Sequence, residues 1–260
     1  DTCARVLDYG VRYDDRVRVR LLVTELNGRR TRPFLTYLYL PGTESPEAGM
    51  TLRGRLHYAV PEDTADFARE SYYRAHKVYV LAQTRGAYTL TREAVRFSRH
   101  DLRYIFPARC AHWFHEQLSA LYEPEDAGIL LSLILGDKTR LPAGYEAQMR
   151  EVGLSHVMAV SGMNVALVSG VFLLLCFRRR VGAALAIPAV VLFAFITGAE
   201  ASVLRAAIMQ TLFLIGMLID EHADPLNNLF VTAALILLMN PYAVQDAGLW
   251  LSFFSTLGLI

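Results

Sequence analysis

Arg205 lies in an apolar run, residues 204–219, that contains no other charged side chain. A cation at the centre of a membrane helix costs about 2.5–3.5 kcal/mol on insertion scales, and less near a helix end. Three arrangements would offset that cost: pairing with Glu200 or Asp246, snorkelling to the outer surface, or lining a path that carries anions. A second polar intrusion is GLSHVMAVSGMN at 153–164, where Ser155, His156, Ser161 and Asn164 interrupt an apolar stretch. Ser161-Gly162 permits a helix break or a close backbone approach, and Asn164 must face another helix or water rather than lipid. Asn228 and Asp246 are further polar groups in apolar surroundings. Ser155, His156, Asn164, Arg205 and Asn228 are the side chains able to line a wet path for a negatively charged chain.

Motifs for other chemistry are missing. The sequence contains no HExxH, no GxxxxGK[ST] and no GxSxG, so neither a zincin site, a P-loop nor a nucleophile elbow is expected. His112 and His115 in HWFHE stand three apart, but no Cys or carboxylate cluster accompanies them in sequence. An interfacial helix explains them better than a zinc site. We expect no catalysis, no metal and no cofactor.

The elements that must hold these residues divide by solvent. The 260 residues are 53% hydrophobic and 20% charged, with a net charge of +1, which excludes disorder and a globally basic nucleic-acid binder. Residues 152–260 contain only nine of the charged side chains. Span candidates are 156–177, 181–199, 204–219, 225–245 and a fifth from 247, since about 20 apolar residues cross a bilayer. The alternative, a large helical core in water, needs a polar stripe on each helix, and 181–199 has none. Arg178-Arg179-Arg180 in a short loop predicts a cytoplasmic loop. Residues 1–150 then lie outside. Residues 111–151 read as an interfacial helical linker; the apolar run 127–135 within it is too short to span. The abrupt Asp1-Thr2-Cys3 and Leu259-Ile260 read as a fragment of a longer membrane protein.

Residues 1–110 read differently. Val17, Val19, Leu21 and Val23 alternate with Arg16, Arg18 and Arg20, the period of a half-buried strand. Runs at 34–40, 50–56, 77–81 and 87–91 are further strands, with a loop and short helix at 62–73. Such a count suits a small closed barrel of the oligonucleotide-binding (OB) type, with a β-sandwich as competitor. Arg16, Arg18, Arg20, Arg53 and Arg55 on outer faces, Arg29, Arg30 and Arg32 in a turn, and the interleaved Tyr37, Tyr39, Tyr58, Tyr72 and Tyr73 form the mixture that single-strand binding uses. A plain solvated sheet face is the alternative. Arg92, Arg96, Arg99 and Arg103 make a basic stripe if 91–106 is helical. Cys3 and Cys110 bracket the module and are a candidate disulfide in an oxidising compartment, with two unpaired thiols as the other possibility.

LILGDKTRLP (133–142), GLSHVMAVSGMNVALVSG (153–170), GAEASVLRAA (198–207) and DPLNNLFVTAALILLMNPYAVQDAGLWLSFFSTLGLI (224–260) together resemble the competence domain of the ComEC-type DNA-internalisation proteins. The resemblance covers about residues 115–260; the module before it is similar to that family's extracytoplasmic OB-like region. It implies an OB-like barrel followed by a polytopic α-helical bundle in the bacterial inner membrane. This assembly would admit one DNA strand during natural transformation. Implied partners are single-stranded DNA, the lipid bilayer, other DNA-uptake proteins and a possible second copy of the chain. Full-length members often add a metallo-β-lactamase-like nuclease domain, of which these residues contain nothing. Asp137, Ser161, Gly162, Arg205 and Asp246 match the family's residue types. Asn164 stands where the family commonly has His, Met163 where it has Leu, and Trp250 where it has Gln. A transporter for another anion and a scaffold for a protein partner are the rival functions.

Overall fold

The computed structural model describes residues 1–13, 16–42, 46–63, 69–92, 104–142, 144–153, 161–199, 201–221 and 223–260. It divides into two compact units, Asp1–Phe114 and His115–Ile260.

The first unit contains six strands: β1 (Thr2–Val6), β2 (Val11–Tyr13), β3 (Arg16–Leu26), β4 (Arg29–Pro41), β5 (Thr51–Ala59) and β6 (Val78–Thr91), with the helix α1 (Arg69–Ala75) before β6. The sheet order is β1-β5-β6-β4-β3-β2, and an additional β1–β3 pairing closes five of the strands into a barrel. Every pairing is antiparallel except β4 with β6. Closure leaves the five strands without a free edge, so their backbone groups are paired without help from a partner chain. The alternation read from β3 holds: Val17, Val19, Leu21 and Val23 are buried with Ala4, Val6, Leu38, Leu40, Leu52 and Ala82. The β3–β4 hairpin turns at Asn27 and Gly28, whose φ values of 50° and 73° are those a two-residue turn with right-handed strand twist requires.

Two sequence readings change. Arg29, Arg30 and Arg32 belong to β4 rather than to a turn, because the strand starts directly after the hairpin. The two strands expected at 77–81 and 87–91 are one continuous β6, whose register against β5 shifts between Gly54 and Leu56.

The second unit is helical. The unit division falls inside α2 (Phe106–Leu121), which is followed by α3 (Pro124–Leu135), α4 (Tyr145–Glu151), α5 (Gly162–Leu175), α6 (Arg179–Ile196), α7 (Ala201–Ile219) and α8 (Pro225–Met239). A 3-10 turn (Pro241–Gln245) then leads into α9 (Ala247–Leu257). Of the five expected spans, two are long and apolar enough to cross a membrane among the described residues: α6 and the Ser202–Ile219 stretch of α7. The run 225–245 divides because Asn240 and Pro241 stop α8: the Asn240 carboxamide accepts the Tyr242 N–H and starts the 3-10 turn. Helices α5 and α6 touch backbone to backbone. A Cβ on Gly182 would stand 3.0 Å from the Phe172 carbonyl oxygen, the close approach that small residues allow between membrane helices.

Candidate nucleic-acid path and interface

On the barrel, β3 and β4 pair Arg18 with Tyr39 and Arg20 with Tyr37. The strand period puts Arg16, Arg18 and Arg20 on one outer face with Tyr37 and Tyr39 beside them. The Arg18 guanidinium lies over the Tyr37 ring at 5.1 Å. Helix α1 adds rings to this face: Tyr73 is 5.9 Å from Tyr37, Tyr72 is 5.5 Å from Tyr73, and His76 is 4.4 Å from Tyr72. Burial, and after it the hydrogen bond with Tyr73, push the Tyr39 phenol above its ordinary pKa.

The arginines of this face are not equivalent. Arg16 is exposed at the strand end. Arg20 is engaged: its backbone N–H donates to Asp8 Oδ1 at 2.9 Å, and its guanidinium lies near Asp8 Oδ2 and over the Tyr104 ring. Burial raises the Asp8 carboxyl above the usual aspartate value, against the pull of Arg20. Arg53 and Arg55 are exposed on β5, whose neighbours are β1 and β6. They therefore form a separate patch, and Arg55 Nε sits 3.4 Å from Asp1. Arg92 pairs with Glu47; Arg96, Arg99 and Arg103 lie outside the described residues.

The expected Cys3–Cys110 disulfide is not formed: both cysteines are free thiols, as is Cys176. Cys3 stands in β1 between Glu25 and Arg53, and Cys110 lies in α2. The two histidines of HWFHE go separate ways. His112 stacks on Tyr9 at 3.9 Å, and His115 Nε2 meets Asp137 Oδ2 at 2.8 Å.

Asp137 is a joint. Its Oδ1 accepts the Thr139 N–H at 2.9 Å and the Thr139 hydroxyl at 2.7 Å. Burial disfavours the carboxylate, but the hydrogen bonds from His115 and Thr139 overcome it and hold its pKa at about 2. Sequence alone offered no reason to join His115 to Asp137, which are 22 positions apart and on different elements.

In the helical unit the polar side chains converge on α7. Arg205 Nε donates to Ser252 Oγ on α9 at 2.8 Å, and its Nη1 approaches the Met209 sulfur at 3.3 Å. One turn further, Gln210 Nε2 donates to Ser169 Oγ on α5 at 2.8 Å. Asn228 Nδ2, on α8, donates to the Met209 carbonyl at 3.0 Å. Gly162, at the start of α5, faces Ala206 and Arg205: a Cβ there would stand 3.3 Å from the Ala206 Cβ and 3.9 Å from Arg205 Nη2. Ser161 occupies the N-cap position of α5 without a side-chain capping bond. Asn164 Nδ2 donates to the Leu133 carbonyl at 2.9 Å, satisfying a carbonyl in the last turn of α3 that has no intrahelical partner.

Arg205 and Asp246 are not paired. Asp246 caps α9, accepting the Gly248 N–H at 2.8 Å, because an aspartate preceding a helix finds orphan N–H groups next to it. Glu200, Ser155 and His156 lie outside the described residues. Among the described residues, the partners of the Arg205 guanidinium are a hydroxyl and a thioether, both neutral. Ser252, Gln210 and Ser169 were not singled out from the sequence, although Gln210 carried the same signal as Arg205, a strongly polar group in an apolar run.

Residues 133–260 match the family model described as Competence protein. The chain is 30% identical over 146 residues to "ComE operon protein 3" of Bacillus subtilis, covering 55% of this chain and 19% of that protein. It is 34% identical over 134 residues to an "Uncharacterized protein" of Aquifex aeolicus, covering 50% of this chain and 32% of that one. The chain thus spans a third or less of the length of these curated relatives. No solved structure matches it.

Proposed function

Because this chain belongs to the competence, DNA-uptake family through residues 133–260, we propose that it is the membrane component through which single-stranded DNA enters the cytoplasm. The observation that carries this reading is the Arg205 guanidinium. It is half-buried among apolar helices, beside the start of α5, with only neutral partners among the described residues. A cation and the positive end of a helix dipole both favour an anion between them. DNA supplies one phosphate per nucleotide, and an anionic phosphate can accept two parallel N–H groups of a guanidinium and neutralise its charge, which a hydroxyl and a thioether do not.

In this reading Ser161, Gly162, Asn164, Asn228 and Asp246 hold the helices around Arg205, and Ser155 and His156 are further proposed contacts for the strand. The barrel lies outside the cytoplasmic membrane and guides the strand. Arg16 and Arg18 contact phosphates and the rings of Tyr37 and α1 take up bases. Arg53 and Arg55 are a secondary contact on the other face. Other uptake proteins and a second copy of the chain are the further partners proposed.

The test is entry of end-labelled DNA into host cells that carry the full gene, a deletion, or Arg205→Ala. Label that binds outside the deletion strain but does not enter supports the channel. Normal entry without the gene would refute it. A small-anion transporter is the second reading, since one guanidinium among neutral groups also suits a single small ion. Absence of DNA binding by the full-length protein would favour it, whereas binding with a negative log-log salt slope, which phosphate contacts give, would count against it.

A further inference from the structure

We propose that Ser252 is a positioning residue for Arg205, a neutral tether that orients the guanidinium without neutralising it. This rests on the reading of Arg205 as a contact for the passing phosphates.

A guanidinium binds a phosphate best through two parallel N–H groups on one edge. Arg205 sits on α7, where among the described residues its guanidinium meets Met209, one turn on. The Met209 sulfur is a weak acceptor, and it meets Nη1 at 3.3 Å. The firm constraint is on α9: Ser252 Oγ accepts from Nε at 2.8 Å. With Nε held there, Nη2 lies nearest the start of α5, 3.9 Å from where a Gly162 Cβ would stand. Ser252 therefore selects the edge left for an anion. The α9 backbone around Ser252 is supported in turn, since the Thr256 hydroxyl donates to the Ser252 carbonyl at 2.9 Å.

The acceptor is a hydroxyl where a carboxylate would bind the guanidinium more strongly. A carboxylate at this place would hold Arg205 more tightly but cancel the charge that draws phosphate. A tether that only stabilises the helix pair would gain from the charge; a positioning residue would be ruined by it.

The experiment uses the full-length gene in host cells, with entry of end-labelled DNA as readout and immunoblots of the membrane fraction for abundance. Ser252→Thr and Ser252→Asn keep a neutral acceptor and should retain entry. Ser252→Ala should lower entry about tenfold, the kinetic equivalent of losing one hydrogen bond to a charged group. Ser252→Asp should lower it further at comparable membrane abundance. Entry by Ser252→Ala equal to wild type overturns the proposal, as does entry by Ser252→Asp equal to that of Ser252→Asn. If Ser252→Asp fails to reach the membrane, the contrast between Ala and the Thr and Asn variants decides. Unchanged entry with Arg205→Ala removes the underlying reading of Arg205, whatever Ser252 does.

Discussion

Both units bury an apolar core, but they differ in what they leave exposed. In the barrel, Val19, Leu21 and Val23 are 0% exposed, while Arg16 is exposed and Arg18 and Arg20 are half-buried on the other face of β3. In the helical unit, Ser132 and Thr232 are 0% exposed and Ser169 is 1% exposed, while Leu174 is 88% and Leu251 73% exposed. Water drives the first arrangement, because burying apolar surface is favourable there and solvated charges are not penalised. In hydrocarbon the second arrangement would carry no penalty, because leucine gains nothing by leaving that solvent whereas a hydroxyl must find a partner inside. The comparison teaches that the side chains a unit can leave exposed depend on the solvent around it.

The largest effect that would break this comparison is a charge inside the barrel. Val19→Asp should cost more than about 4 kcal/mol and unfold the first unit, seen as lost protection of β3 and β4 in hydrogen exchange. A retained barrel would mean that its interior is wet. Next comes a charge on the outward face of the helices. Leu185, on α6, is 49% exposed, so in water Leu185→Asp would change stability by less than about 0.5 kcal/mol. In lipid it should cost about 3 kcal/mol near mid-span, measured as the yield of folded protein in the membrane fraction. A neutral outcome would place that face in water.

Asp137 gives a smaller effect with a defined sign. Its folded pKa of about 2 lies below the unfolded value of 3.8, so the carboxylate stabilises the fold above pH 3.8. That contribution, about 2 kcal/mol from linkage, is lost as pH falls from 3.8 towards 2. Asp137→Asn should remove it and flatten the acid limb of unfolding over that window; a wild-type acid profile in the variant would contradict the joint with His115 and Thr139. Least of all, Arg55→Ala should change stability by less than about 0.5 kcal/mol, because its pair with Asp1 is exposed and screened. Thermal unfolding at low and high salt checks this, and a larger loss would mean that the β5 patch is held by more than solvent.

Much of this was legible in residue order, for local reasons. The Arg-Val alternation of β3, the Asn27-Gly28 hairpin and the apolar runs of α6 and α7 all follow from periods of two or from continuous hydrophobicity. The misreadings arose where a distant element decided. Pairing with β4 over Val78–Ala82 and with β5 over Leu81–Thr91 overlaps, and together the two ladders make 78–91 one strand. Cys3 and Cys110 are a candidate pair only because they flank the module, and flanking positions in sequence do not bring two Cβ atoms to bonding distance.

The sequence by itself divided the chain into a charge-rich half and an apolar half, since transfer free energies belong to residues and sum along a segment. It also determined that Arg205 needed an unusual answer, because its cost is set by its own apolar run. Only the tertiary structure decided what that answer is. Asp246 was drawn off to cap α9, and Ser252, one turn and a half further on, met the guanidinium instead. Hydrogen bonds act over about 3 Å and depend on direction, so partners 47 positions apart are chosen by how helices pack and not by the order in which residues occur.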